Sequence, residues 1–131
     1  MTETSANFAF TKLVVADLQQ AAAFYRAVCG YGEGQTITGT IAGRPIEEII
    51  FSRSGGGAEL ILLTYPEGPA PSPTGVITGL STPDQDAFQA RVLAAGGTIL
   101  EDVRSPTFGT LDMRVGFFTD PQGYVLEVME R

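Results

Sequence analysis

Two strands and a tight turn are predicted from one C-terminal stretch, Phe117-Phe118-Thr119-Asp120-Pro121-Gln122-Gly123-Tyr124-Val125-Leu126-Glu127-Val128. Proline presets the φ of a turn and glycine tolerates a positive φ, so Asp120 to Gly123 separates two apolar runs. The second run contains a single ionisable residue, Glu127. Glutamate inside an apolar strand is a candidate for function.

A strand that leads directly into a helix is predicted near the other end of the chain. The sequence there is Leu13-Val14-Val15-Ala16-Asp17-Leu18, followed by Ala23-Phe24-Tyr25. Aspartate is a favoured N-cap, so the helix begins at Asp17 and ends before Gly30.

The same pattern occurs a second time in the chain. When the sequence is aligned with itself at an offset of 67 positions, Asp17 aligns with Asp84 and Gly30 with Gly97. Thr82 is predicted to cap the second helix, with Pro83 at its first position. The predicted strands cover residues 8–15, 35–41, 46–52, 58–64, 75–81, 98–103, 112–119 and 124–129.

These elements predict one α+β domain of two β-α-β-β-β modules, at about 8–64 and 75–130, joined by a proline-rich connector at 65–74. Two curved four-stranded sheets would form a cupped, barrel-like mixed sheet with the helices outside.

Composition excludes several classes of function. The net charge of −7, with eight Lys and Arg among 131 residues, argues against nucleic acid and anionic membranes as partners. The polar N-terminus has no apolar signal core. A single cysteine, Cys29, forms no internal disulfide, and the expected location is the cytoplasm. Cys29 is interpreted as a buried filler.

The chain resembles the vicinal oxygen chelate superfamily of glyoxalase and bleomycin-resistance proteins in three features. These are the N-terminal motif Asp17-Leu18…Phe24-Tyr25, the C-terminal motif Asp-Pro-x-Gly-Tyr-x-x-Glu at Asp120 to Glu127, and the doubled module. The resemblance covers roughly residues 8–130. It implies that the first and last strand of each module each supply a ligand to a divalent ion in the cup.

The ligand positions that the resemblance implies are occupied mainly by apolar residues. They fall on Phe10, on Ile77 (or Val76 after a one-residue slip) and on Glu127. The fourth position remains open between Glu59, Leu60 and Leu62. The chain contains no histidine, and metal sites of this kind rely on imidazole as well as carboxylate. We therefore expect no metal and no other cofactor.

The residues that line the cup are predicted from the pairing of the last two strands. If Thr119 pairs with Tyr124, Glu127 lies opposite Gly116, and Arg114 opposite Met129. Glu127 would then be a catalytic base, with Arg114 or Lys12 stabilising an oxyanion. The predicted substrate-binding residues are Phe10, Lys12, Ile77, Gly116, Phe118 and Met129.

Two functions fit this cup. One is a metal-independent isomerase, cyclase or lyase that transfers a proton next to a carbonyl of a small apolar substrate. The alternative is a protein that sequesters an aromatic or drug-like ligand without catalysis. In both cases we expect a homodimer, because the sheets leave faces and edges to cover.

Overall fold

The computed structural model describes residues 8–53, 57–68, 72–105, 107–108, 111–112 and 114–130. Its first module contains β1 (Thr11–Val14), α1 (Leu18–Cys29), β2 (Gln35–Ile41), β3 (Arg44–Ser52) and β4 (Ala58–Thr64). The second contains β5 (Ile77–Thr82), α2 (Gln85–Ala94), β6 (Thr98–Arg104), β7 (Thr107–Phe108), β8 (Leu111–Asp112), β9 (Val115–Thr119) and β10 (Val125–Glu130).

Each module forms one mixed four-stranded sheet, with strand orders β1-β4-β3-β2 and β5-β10-β9-β6. The first and last strands of each module are parallel neighbours, and the remaining pairs are antiparallel. This arrangement confirms the predicted α+β fold. The two sheets are not closed into a barrel, and the short β7–β8 hairpin was not predicted.

Aspartates begin both helices. The Asp17 carboxylate accepts from the Gln20 amide at 2.9 Å, and α1 ends at Gly30 with a left-handed φ of 73°. Asp84 caps α2 in the same way, through the Ala87 amide. The predicted N-cap at Thr82 is therefore wrong, since Thr82 is the last residue of β5. Neither helix has the length and hydrophobicity of a membrane span, and no other helix occurs in the described ranges.

One hydrophobic core joins the two modules. It contains side chains from the helix-facing sides of both sheets and from both helices, with Phe24 of α1 and Val92 of α2 almost completely buried. A Cβ at Gly97 would lie 2.7 Å from Val92 and 2.9 Å from Phe24. Only glycine therefore fits at this position, where side chains of both helices pack against the backbone that follows α2.

The Asp120 carboxylate organises the turn between β9 and β10. Its Oδ1 accepts from the amides of Gln122, Gly123 and Tyr124 at 2.8–2.9 Å. Its Oδ2 accepts from the Tyr25 hydroxyl of α1 at 2.7 Å. Asp120 is only 3% exposed, so these donors replace the water that the carboxylate loses on folding.

The same turn is also hydrogen-bonded to the first module. The Tyr124 hydroxyl donates to the Val14 carbonyl at 2.8 Å, and the Ala16 amide donates to the Gln122 side chain at 2.8 Å. The turn therefore connects β10 to the end of β1 as well as to α1.

This turn also sets the register of β9 and β10, which differs from the prediction by one residue. Asp120 holds Tyr124 inside the turn, so Thr119 pairs with Val125 and Glu127 with Phe117. A shift of one residue moves a side chain to the opposite face of a sheet. Gly116 and Phe118 therefore lie on the helix-facing side, where the Phe118 ring lies 5.7 Å from that of Phe88.

We predict that Asp120→Ala lowers the free energy of unfolding by about 3–5 kcal/mol, because it leaves buried donors without an acceptor. Tyr25→Phe should cost about 1–2 kcal/mol, since it removes one of these bonds. Urea unfolding measures both. The control is Asp102→Ala, at an exposed position of β6, which should change stability by less than about 0.5 kcal/mol. Equal losses for Asp120→Ala and Asp102→Ala would contradict the assigned role.

Candidate functional site

A β-bulge determines which residue occupies the fourth ligand position that the family resemblance implies. Phe51 pairs with Leu60 but Ser52 pairs with Ala58, so Glu59 is an extra residue in β4. After the bulge, each residue of the first module aligns with the residue 66 positions later in the second module, instead of 67. The pair Ile50–Ile61 then corresponds to Phe117–Glu127.

Ile61 is therefore the counterpart of Glu127, and none of the three predicted alternatives holds that place. Leu60 and Leu62 lie in the core on the helix-facing side. The Glu59 carboxylate accepts from the Tyr31 hydroxyl at 2.8 Å.

The donor set at these four positions does not fit a divalent ion. Phe10, Ile61 and Ile77 supply no ligand atom, and Glu127 supplies one carboxylate. Across the described ranges, no group of three or more His, Cys, Asp or Glu residues is placed to hold a metal. Divalent ions in proteins need several oxygen, nitrogen or sulfur ligands.

Glu127 lies instead on an apolar sheet surface, which we name the Glu127 face. The residue is partly buried and pairs with Phe117 of β9 and Gly79 of β5. Val125 and Ile77 are paired on the same face, and Ile77 is 61% exposed. No hydrogen bond or ion pair with another described residue engages the Glu127 carboxylate. Met129, paired with Ser81, continues this face.

Arg114 does not meet Glu127, in contrast to the prediction. Its guanidinium lies 3.3 Å from the carboxylate of Asp86 and 3.5 Å from that of Glu130. The one-residue change of register explains this placement, because Arg114 precedes β9 in phase with Gly116 and Phe118. The three residues therefore belong to the helix-facing side and not to the predicted cup.

Lys12 is also engaged elsewhere. Its ammonium forms an ion pair with Glu48 of β3, which is only 3% exposed, and lies 5.8 Å from the centre of the Phe10 ring. Sequence reasoning missed Glu48. The alternation of Ile46, Glu48 and Ile50 along β3 was the available signal, since it puts this carboxylate on an otherwise apolar face.

A groove of about 740 Å³ lies along β5, on the side where α1 ends, and we name it the β5 groove. Its apolar lining includes Leu60, Leu80 and Phe88, and polar groups come from Tyr31, Thr78 and Arg91. The Arg91 guanidinium donates to the Val28 carbonyl at 3.4 Å and so links the two helices.

Cys29 lines this groove and is no nucleophile. Burial, and to a smaller extent the charge of Glu59, raise the pKa of its thiol to about 12. Burial likewise raises the pKa of the Tyr31 phenol, and its hydrogen bond to Glu59 raises it further. Both groups therefore stay protonated near neutral pH, which agrees with the interpretation of Cys29 as a filler.

The two β-α-β-β-β modules, each with one mixed four-stranded sheet, define the fold class of this protein. The family model described as "Glyoxalase/Bleomycin resistance protein/Dioxygenase superfamily" matches residues 7–128. The chain belongs to this superfamily.

Solved structures of the superfamily share the fold at low sequence identity. A glyoxalase/bleomycin resistance protein from Albidiferax ferrireducens T118 is 23% identical with a TM-score of 0.68, over 95% of this chain and 98% of that one. A glyoxylase/bleomycin resistance protein/dioxygenase domain from Frankia sp. EAN1pec is 17% identical with a TM-score of 0.71, over 97% of this chain and 98% of that one.

A variant of glyoxalase I from Zea mays is 16% identical with a TM-score of 0.70, and the match covers 93% of this chain and 45% of that one. No protein with a curated functional description matches the chain significantly. The superfamily includes enzymes and resistance proteins.

We predict that Cys29 is alkylated by iodoacetamide at pH 8 on the order of a thousandfold more slowly in the native protein than in urea, because only the thiolate reacts. Mass spectrometry of timed samples measures both rates. The native state holds this proton more tightly than the unfolded state, so the contribution of Cys29 to stability is lost as the pH rises from about 9 to 12. Equal alkylation rates would show that the thiol is exposed.

Proposed function

We propose that the protein binds a small, mostly apolar molecule carrying a positive charge at the Glu127 face, without a metal ion. The observation that carries the proposal is a carboxylate without a partner among the described residues, between Phe117 and Gly79 on the same sheet face as the exposed side chain of Ile77. Aromatic faces and carboxylates both attract cations. The net charge of −7 favours the approach of such a ligand.

The placement of Arg114 and Lys12 favours binding over catalysis. A base that removes a proton next to a carbonyl needs a donor or cation that stabilises the oxyanion. Arg114 is held by Asp86 and Glu130, and Lys12 by Glu48. We therefore place sequestration of a ligand, as the name bleomycin resistance describes for relatives, ahead of metal-independent catalysis.

A pair of matched probes tests the binding proposal. Benzyltrimethylammonium should bind more tightly than its neutral isostere neopentylbenzene, and Glu127→Gln should weaken binding of the cation about two- to fivefold, as expected for a partly exposed ion pair. Glu33→Gln makes the same change of net charge at an exposed position and should leave affinity unchanged. Titrations followed by amide NMR, with elemental analysis of the same sample, measure affinity and metal content.

Equal effects of Glu127→Gln and Glu33→Gln would contradict the proposal. So would one tightly held zinc, nickel or iron ion per chain.

Catalysis is the second candidate, because the Glu127 carboxylate has no partner among the residues that the structure describes. An enzyme of the proposed kind should exchange the hydrogens next to the carbonyl of 4-phenyl-2-butanone for deuterium in heavy water. NMR follows this exchange. A rate above the buffer background that is lost in Glu127→Gln and kept in Glu33→Gln would favour the enzyme over the sequestering protein.

We also propose that the protein is a homodimer. The support is the exposure of large apolar side chains on the first strands of the modules, with Phe10 at 42% and Ile77 at 61%, together with open strand edges. Burial of such surface on association is favourable, and twofold symmetry is its commonest form. Light scattering at micromolar concentration should give twice the chain mass of 13.9 kDa. A single-chain mass would refute the dimer.

A further inference from the structure

We propose that the ligand of the Glu127 face is a long, narrow alkylammonium ion, whose charged end lies at Glu127 and whose apolar end lies in the β5 groove. The inference rests on the proposed function, since it takes the Glu127 carboxylate as the binding site of the positive charge. It adds the shape and length of the ligand. The two places adjoin, because Ile77, Gly79 and Ser81 belong to the Glu127 face and also line the groove. One molecule can therefore occupy both.

Gly79 leaves the path between these two places open. It is paired with Glu127 on the neighbouring strand, and β5 is an edge strand of its sheet. Neighbouring strands lie about 4.8 Å apart, so a group bound at Glu127 reaches the edge of β5 after about one strand width. Apart from its neighbours in the chain, a Cβ at Gly79 would meet no heavy atom of the described residues within 4 Å. The side chains of Ile77 and Ser81 flank this path on the same face, so the path is narrow.

The first module carries an alkylammonium group of its own at the equivalent position. Lys12 aligns with Gly79 at the offset of 67 positions, and each is paired with the last strand of its module, Lys12 with Ile61 and Gly79 with Glu127. The side chain of Lys12 is a butylammonium group, and its charge pairs with Glu48 on another strand of the same sheet. The second module has a carboxylate on its sheet but no side chain at position 79. An alkylammonium ligand would supply the missing group.

The β5 groove suits the apolar end of such a ligand. Its volume of about 740 Å³ is typical of small-molecule sites, and Leu60, Leu80 and Phe88 supply apolar surface. The ligand would therefore bury its apolar end there, and the burial of apolar surface favours binding.

The charged residues of the groove oppose each other, which leaves the positive charge of the ligand to Glu127. Glu59 raises the pKa of the Cys29 thiol and Arg91 lowers it, so both charges lie near this thiol. The Glu59 carboxylate also accepts from the Tyr31 hydroxyl. A cation gains little from two opposite charges in one place, whereas no cation among the described residues pairs with Glu127.

Three matched probes test this arrangement in amide NMR titrations of the full chain. They are 4-phenylbutylammonium, n-butylammonium, which lacks the ring, and 4-phenyl-1-butanol, which lacks the charge. 4-Phenylbutylammonium should shift the amides of Phe117 and Glu127 and also those of Phe88 and Arg91 on α2. n-Butylammonium should shift only the first pair and bind at least about tenfold more weakly, because it has no ring to bury. The alcohol should bind about two- to fivefold more weakly, as expected for the loss of a partly exposed ion pair.

A lysine at position 79 should compete with the ligand. Gly79→Lys adds a butylammonium group beside Glu127 and should weaken 4-phenylbutylammonium at least about tenfold, since the charge and the path are then both occupied. Gly39→Lys is the matched control. It makes the same change of charge at a glycine of β2 where a Cβ would likewise meet no heavy atom within 4 Å, and it should leave the affinity unchanged.

Two variants of α1 test the position of the ring. Ala27 and Ala23 are both exposed and one helical turn apart, and only Ala27 lines the groove. Ala27→Phe should reduce the affinity for 4-phenylbutylammonium to that for n-butylammonium and leave n-butylammonium unaffected. Ala23→Phe should change neither affinity.

Equal affinities for the two ammonium probes, shifts confined to the Glu127 face, or equal effects of Gly79→Lys and Gly39→Lys would each overturn the proposal. A larger loss of 4-phenylbutylammonium affinity in Glu59→Gln than in Glu127→Gln would also overturn it, since the charge would then lie in the groove.

The outcomes separate this proposal from the proposed function. If benzyltrimethylammonium depends on Glu127 but 4-phenylbutylammonium does not shift Phe88 and Arg91, only the inference about the groove fails. If Glu127→Gln and Glu33→Gln affect benzyltrimethylammonium equally, both fail.

Discussion

The arrangement of the two modules depends on one buried carboxylate. Asp120 accepts three amides of its own turn and the hydroxyl of Tyr25, so a single side chain shapes the β9–β10 connection and attaches it to α1. Tyr124, held in place by this turn, then reaches the end of β1. A buried charge is tolerable only when it is paired or fully hydrogen-bonded, which explains why so many donors converge here.

The chemistry that the sheet can offer follows from that turn. With Tyr124 inside the turn, Glu127 has Phe117 as its neighbour, and Gly116 and Phe118 face the helices. A carboxylate on an apolar and aromatic surface attracts a positive charge, whereas the same carboxylate beside Arg114 would have formed an acid–base pair. One residue of register thus decides whether Glu127 lies among apolar neighbours or beside Arg114.

The sequence predicts the fold well because its signals are local. Asp17 and Gly30 bound a helix through capping chemistry, and β2 and β4 lie where apolar patterning between turn residues predicts them. The site is predicted less well because faces depend on register. The bulge at Glu59 and the five-residue turn at Asp120 each shift a strand by one position, and each includes a side chain that is hydrogen-bonded to a distant tyrosine, Tyr31 or Tyr25. The pairing of Lys12 with Glu48 is equally non-local.

The contrast between the turns at 53–57 and 120–124 has a consequence for how the chain can diverge. Both turns occupy equivalent places, but one is anchored by Asp120, Tyr25 and Tyr124, and the other contains three glycines and a serine. Substitutions at the anchored turn act on the stability of the whole domain. The Tyr25–Asp120 and Tyr124–Val14 hydrogen bonds, which join the two modules, therefore lie at one copy of a repeated turn, so the same kind of mutation carries a different risk for the domain in each copy.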